Sequence, residues 1–517
     1  MIRNVFLCLL IFSGFAAAAP VLDPQFGGQG IKLFEAAGAY ARVVGACPHA
    51  NGQASIVAFS NETTQWLIAR VDANGVLDPS YSGDGIASAP LASRVTELED
   101  LSVTCIGAGN ADPNDDAMLV AAVTVRPMVS ARVLMVTQLD LDAGSLDVGF
   151  NGGATAMMDI SPLMAPYDPE TGDTDWRGVR VRGVFPGATG EWLVMGALVM
   201  DQNNTMGFML RVSAGGGLIA WNAPAPYDNW EVREIHAARL HTDGSIRALA
   251  RIKSGTNQRW GLLRLAGANL SVGGLPAIGD ATSQDYGYLR GRLISGGFVV
   301  PVIAPGAAPF GTAPRLLVIR GDDVDDLALP PPGPIGSEAT GFAGTMAATI
   351  ANDQRVIVGM GLVTLSNPVA GYYVAMVKLG DGAGIPDTID AGFGDQGSSV
   401  FRFEPVNVGC SAGQAPPQHF VNLSSWGNTT LIAGNAAPRC YDEANGSSER
   451  APGCSVREST TLRACCSAMD LSRRPELPSL RARRARQSRS CVEAQSKQQI
   501  AADCRDAALL AMTIQRV

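Results

Sequence analysis

Leu77-Asp78-Pro79-Ser80-Tyr81-Ser82-Gly83-Asp84-Gly85-Ile86 repeats, with few changes, the stretch Leu22-Asp23-Pro24-Gln25-Phe26-Gly27-Gly28-Gln29-Gly30-Ile31 that stands 55 residues earlier. Weaker copies run Leu146-Asp147-Val148-Gly149-Phe150-Asn151-Gly152-Gly153 and Ile389-Asp390-Ala391-Gly392-Phe393-Gly394-Asp395-Gln396-Gly397. The chemistry of the motif is that of a turn. Asp23, Asp78, Asp147 and Asp390 cap it with a side-chain carboxylate, and Phe26, Tyr81, Phe150 and Phe393 supply an aromatic anchor. Glycines such as Gly30 and Gly85 give the positive φ that other residues resist. Self-similarity at a fixed period marks a repeat architecture, in which each unit is one supersecondary element.

Upstream of each motif lies an apolar strand closed by a polar or basic residue, as in Trp66-Leu67-Ile68-Ala69-Arg70-Val71. Equivalent strands end at Arg70, Gln138, Arg211, Arg264, Arg320 and Lys378, with steps of 68, 73, 53, 56 and 58 residues and a mean close to 62. Each has a partner strand before it, separated by Gly, Asn or Asp, and the pairs read as β-hairpins. They are Ser55 to Ser60 with Trp66 to Val71, Met118 to Val125 with Val133 to Leu139, and Trp192 to Met200 with Phe208 to Val212. Ile246 to Lys253 then pairs with Trp260 to Leu265, Phe298 to Ile303 with Arg315 to Arg320, and Arg355 to Val363 with Tyr372 to Leu379. The last strand, Thr430 to Asn435, finds its match only at Leu509-Leu510-Ala511-Met512-Thr513-Ile514-Gln515, about 75 residues late. An insertion over 436–508 accounts for the delay, since loop closure entropy grows only logarithmically with length.

Composition agrees with an all-β chain. Of 517 residues, 59 are glycine and 31 proline, and 17% are charged. Seven units of about 60 residues fit a seven-bladed β-propeller over residues 20–517, with the Cys-rich insertion in the last blade. An open solenoid is the rival. A propeller closes its ring by pairing strands from opposite ends of the chain, so Gly30 to Phe34 is expected to complete the blade that holds Thr513 to Val517. Arg3, the apolar run Val5 to Phe15 and Ala16-Ala17-Ala18-Ala19 match a secretory signal peptide over 1–19. No later stretch has the 18 or more apolar residues of a transmembrane helix. The net charge of −9 argues against a nucleic-acid partner.

The Leu-Asp-Pro-x-Phe/Tyr-x-Gly-x-Gly-Ile motif, the Ala69-Arg70-Val71-Asp72-Ala73-Asn74-Gly75 segment before it and the spacing near 60 resemble the delta-60 repeat. The resemblance is close in the first two copies, partial at Asp147 and Asp390 and faint over 200–370. It implies a β-propeller-like protein exported from a bacterium, in the periplasm, at the cell surface or released. It implies no reaction and supplies no catalytic residues.

Apart from Cys8 in the leader, Cys47, Cys105 and Cys410 lie in the repeats, and Cys440, Cys454, Cys465, Cys466, Cys491 and Cys504 lie in the insertion. Six cysteines in an exported segment read as a disulfide framework with 15 possible connectivities, against an unstructured loop with scattered thiols. The insertion has no histidine and no Cys-x-x-Cys spacing, which disfavours zinc. Its basic run, Arg481-Ala482-Arg483-Arg484-Ala485-Arg486, reads as a contact for an acidic polymer, as a protease-sensitive site, or as a solvated arm or helix face. His49, His236, His241 and His419 show no metal-type spacing, and His236 and His241, five apart, fall on opposite faces of a strand. Asp168, Glu170, Asp173 and Asp175 offer closely spaced oxygens that would suit calcium, as does the run Asp322, Asp323, Asp325 and Asp326. Two function classes follow. One is a binding or scaffold module for a protein, glycan or small molecule. The other is a propeller hydrolase or lyase with a divalent metal in the channel, for which Glu97, Glu99 and Asp100 near the inner strands are candidates.

Overall fold

The computed structural model describes most of residues 41–401, apart from the longer loops (92–97, 108–115, 126–131, 161–177, 200–204, 282–288, 307–311, 332–338 and 365–370) and a few turn residues. It also describes strand segments 21–22, 31–34, 414–415, 418–426, 429–436, 439–442, 447–450 and 508–515. The described residues form an all-β propeller, and no helix among them is long and apolar enough to cross a membrane.

Six blades are built from successive stretches of chain whose strands pair in order as antiparallel neighbours, and Leu289–Arg290, ahead of blade 5, adds a parallel strand to the sixth. Blade 1 is Ala41–Pro48, Ala54–Ser60, Gln65–Val71 and Ile86–Pro90. Blade 2 is Leu98–Ile106, Ala117–Val125, Arg132–Asp140 and Ala156–Asp159, and blade 3 is Gly178–Pro186, Glu191–Val199, Thr205–Ser213 and Leu218–Asn222. Blade 4 is Glu231–Leu240, Ser245–Ser254, Asn257–Ala266 and Ala277–Asp280; blade 5 is Arg292–Ile294, Gly297–Pro305, Thr312–Arg320 and Asp323–Ala328. Blade 6 is Ala339–Asn352, Arg355–Thr364, Gly371–Lys378 and Ser398–Phe401. The consecutive units therefore number six, and the count of seven expected from the spacing is not reached by them.

A further sheet is composite. Gln418–Trp426 pairs with Thr429–Ala436, which pairs with Ala508–Gln515, which in turn pairs with Val21–Leu22 and Ile31–Phe34. The two ends of the chain thus meet in one sheet, Ile31 opposite Met512 and Phe34 opposite Leu509. The first strands of blades 1 to 4 neighbour one another in chain order, that of blade 4 meets Gly297–Pro305 of blade 5, that of blade 5 meets the first strand of blade 6, and Gln418–Trp426 lies between those of blade 6 and blade 1. The ring is closed, and the solenoid alternative falls. Within 436–508, Arg439–Asp442 pairs with Gln414–Ala415 and with Ser447–Arg450. Cys440 stands in that strand, while Cys454, Cys465, Cys466, Cys491 and Cys504 lie outside the described residues.

The middle strands are largely apolar because blades stack face to face and bury both surfaces of each sheet. Every residue of Ala54–Ser60 is buried. Trp66, Ile68 and Tyr81 of blade 1 pack with Leu101, Met118 and Met135 of blade 2, and Phe150 of blade 2 packs with Val194 and Phe208 of blade 3. Val43, Ile56 and Leu67 close the seam against Leu431 and Ala433 of the composite sheet.

The repeat period has a physical origin in contacts between blades. Arg70 gives Nη2 to the carbonyl of Leu141 at 2.6 Å and to Asp142 at 2.9 Å, on the turn after the third strand of blade 2. Arg211 reaches the carbonyls of Gly267 and Ala268 in blade 4, Arg264 meets Asp322 of blade 5 at 3.1 Å, and Arg320 grips buried Asp387 of blade 6 at 2.8 and 2.9 Å. The basic residue that ends a third strand is therefore a clasp on the next blade. Gln138 and Lys378 turn instead to the motif aspartates of their own blades, Asp147 and Asp390.

The turn motif keeps one geometry in three copies. Asp78 accepts from Ser80 N, Asp147 from Gly149 N and Asp390 from Gly392 N, while Tyr81, Phe150 and Phe393 are buried. Asp23, Phe26 and Gly30 of the first copy lie outside the described residues. Gly85 has φ 86°, and a Cβ there would meet Leu77 Cβ at 2.7 Å. Gly85→Ala is expected to lower stability by about 1–3 kcal/mol in denaturant unfolding; an unchanged midpoint would show that the turn tolerates another conformation.

Candidate functional site

The first strand of a propeller blade faces the axis, and here almost every first strand carries a β-bulge. Register shifts fall between Val43 and Gly45, Leu98 and Asp100, Val181 and Gly183, Val232 and Glu234, Ile235 and Ala237, Ala343 and Met346, and Phe420 and Asn422. A bulge adds an unpaired residue and re-aims side chains and carbonyls out of the ladder. Val44, added in blade 1, gives its carbonyl to Arg290 Nη1 at 2.8 Å, across the ring from a strand 246 positions later. Arg182, Arg233 and His236 are the residues added in blades 3 and 4. Gly183 permits the two strands to approach, since a Cβ there would meet the carbonyl of His236 at 2.4 Å.

The bulges gather an ionic cluster around Glu234, whose side chain is 1% exposed. Its Oε1 lies 3.5 Å from Arg180 Nη1 and 3.4 Å from Arg182 Nη2, and its Oε2 lies 3.1 Å from Arg251 Nη2 and 3.3 Å from His236 Nε2. Burial by itself would raise the Glu234 pKa, but Arg182, His236 and Arg251 together hold it well below the usual carboxylate range. Burial lowers the pKa of His236 more than Glu234 raises it, so the ring stays neutral at pH 7. It packs edge-on to Trp260 with centroids 5.4 Å apart. Asp100, also buried, takes the backbone N–H of Leu101 at 3.0 Å and of Val181 at 3.1 Å. Three guanidiniums, of Arg180, Arg182 and Arg251, thus face the one carboxylate of Glu234, and Arg180 is the most open of them, with 31% of its side chain exposed.

Of the candidates expected from sequence, Asp100 reaches this cluster; Glu97 and the side chain of Glu99 lie outside the described residues. Asp100 accepts two backbone N–H groups, and Glu234 is held by arginines. Asp168, Glu170, Asp173 and Asp175 lie outside the described residues. In the second acidic run, Asp322 pairs with Arg247 at 2.5 Å and Asp326 with Arg315 at 2.5 Å, while Asp325 lies 3.6 Å from Arg320. These carboxylates serve as ion-pair partners to arginines.

Sequence reasoning passed over Arg180, Arg182, Glu234, Arg251 and Arg290, and weighed His236 only for its spacing to His241. The signal was charge inside otherwise apolar strands, Val179-Arg180-Val181-Arg182-Gly183-Val184 and Val232-Arg233-Glu234-Ile235-His236. It also passed over the disulfide between Cys47 and Cys105, which links the first strands of blades 1 and 2 with Cα atoms 5.7 Å apart. Their separation of 58 residues is close to one repeat, so they occupy near-equivalent places in neighbouring units.

No protein-family model matches the chain, and no curated protein does. Among solved structures, the chain is similar to Kuenenia stuttgartiensis hydrazine synthase at 9% identity and a TM-score of 0.39, covering 80% of this chain and 98% of that one. Penicillium chrysogenum alpha-L-arabinanase is 8% identical with a TM-score of 0.38, covering 70% and 98%. Staphylococcus aureus virginiamycin B lyase is 10% identical with a TM-score of 0.36, covering 78% and 95%. Likeness at this level bears on neither ligand nor activity.

Proposed function

We propose that this chain is an exported delta-60 repeat protein, with the composite sheet as its seventh blade, that acts as a binding module for an anionic ligand at the bulged ends of its inner strands. The carrying observation is the excess of guanidinium over carboxylate around Glu234, with Arg180 partly open to solvent. Guanidinium pairs recognise carboxylate and phosphate oxygens through parallel charge-assisted hydrogen bonds. The low-dielectric walls of an axial site strengthen that attraction. The Cys47–Cys105 disulfide accords with an oxidising compartment, where such bonds persist.

Isothermal titration of the purified protein with glucuronate and inorganic phosphate, and with glucose as the neutral control, tests the reading. An anion is expected to bind more weakly as salt rises, and Arg180→Ala to lose about 10-fold or more, the worth of one charge-assisted hydrogen bond. Equal binding of glucose, or an unaffected Arg180→Ala variant, would refute the axial anion site. Turnover of a uronate oligosaccharide would move the protein to the hydrolase or lyase class.

A further inference from the structure

At the interface of blades 1 and 2, away from the axial cluster, three loop positions converge. His49 follows the first strand of blade 1, Asp116 directly precedes Ala117–Val125, and Asp142 stands on the turn after Arg132–Asp140. The backbone holds the last two together, since Leu141 N donates to the carbonyl of Asp116 at 3.0 Å. His49 Nδ1 lies 2.6 Å from Asp116 Oδ2 and 3.7 Å from Asp142 Oδ1. One donor atom from each side chain lies within 4.8 Å of the others.

Two readings compete. Ser55 Oγ, His49 Nε2, His49 Nδ1 and Asp116 Oδ2 run in series at 2.7 and 2.6 Å, the order of a nucleophile, base and orienting acid. Ser55 is 0% exposed, however, so no acyl substrate reaches its hydroxyl. An ion needs far less room, and Asp142, with 26% of its side chain exposed, gives a way in.

We propose that His49, Asp116 and Asp142 form a binding site for a divalent transition-metal ion. One imidazole with two carboxylates suits zinc, cobalt or manganese, and three protein ligands leave a position for water on the Asp142 side. The surroundings are those of an outer shell. Ser55 sits on the far nitrogen of the imidazole, and Arg70 orients Asp142 at 2.9 Å while stacking 4.2 Å from the centroid of Tyr81. Without metal the neutral ring donates from Nδ1 to Asp116 and accepts from Ser55. With metal on Nδ1 the proton sits on Nε2 and is donated to Ser55 Oγ, a tautomer change with no net proton release from the ring.

Cobalt(II) separates this site from the cysteines of the insertion, because thiolate ligation adds an intense charge-transfer band that nitrogen and oxygen ligands lack. Chelator-stripped, full-length protein is expected to bind one equivalent with weak visible bands only and to unfold at a higher temperature once loaded. Asp142→Asn and Asp142→Ser, at a half-buried turn, should fold as the parent does and lose affinity about 10-fold or more. Absence of saturable binding would overturn the proposal. So would binding that carries a thiolate band and is unchanged in both variants.

Discussion

Glu234→Gln is expected to destabilise the propeller by about 3–5 kcal/mol, the usual cost of leaving a buried charge without its partner. The substitution keeps shape and removes only the negative charge. Arg182 and Arg251, with side chains 5% and 12% exposed, would then share a site with Arg180 and lose the carboxylate that lies within 3.5 Å of all three. Denaturant midpoints at constant slope measure the loss. Adding Arg182→Met should restore part of it, because the second change removes the charge that the first leaves unbalanced, and the double-mutant cycle reads the coupling. The same variant probes function, since a cluster stripped of its carboxylate attracts anions more strongly. Phosphate should therefore raise the unfolding temperature of Glu234→Gln more than that of the parent. A midpoint equal to the parent's would mean that Glu234 does not hold the inner strands of blades 3 and 4 together.

The hairpins were legible because middle strands in a stacked blade are apolar on both faces and end at turn residues. Thr429–Ala436 found its partner at Ala508–Gln515 by apolar strand pattern, about 75 residues later than the repeat spacing places it. The axial cluster was not legible, and the bulges explain why. Reading faces from sequence assumes a strict period of two, and one inserted residue flips every later side chain. Glu231–Leu240 has two such insertions, so alternation along it assigns His236 to no face correctly. A clasp such as Arg320 with Asp387 was half legible: the arginine marks the register, but its partner lies 67 positions on, on a turn that only the closed ring brings near. His49 showed no metal-type spacing because its acidic neighbours come from blade 2, beyond any local spacing.

Stability should fall as the solution is acidified from about pH 6.5, well before carboxylates titrate. Burial, and after it the Arg70 guanidinium, lower the His49 pKa to about 4, and burial also lowers that of His236. Between the unfolded value near 6.5 and the lowered folded value, the unfolded chain binds a proton that the native protein refuses. The native state then loses about 1.4 kcal/mol per pH unit for each such histidine. For His49 the window runs from 6.5 to about 4 and is worth about 3 kcal/mol at its lower end. Glu234 acts with the same sense of shift but in a lower window. Its folded pKa is depressed, so its contribution is complete above its unfolded value of 4.5 and is lost only as pH falls towards the folded one. Unfolding free energies across pH 4–7, with chelator present, should fall with acid through the upper window, with His49, His236 and His241, whose pKa values are all lowered, each contributing. His236→Gln should remove one of these contributions while leaving the lower window to Glu234. A slope that His236→Gln does not change would mean that the ring is already protonated in the folded protein, and the neutral histidine beside Glu234 would have to be replaced by an imidazolium that adds a further positive charge to the axis.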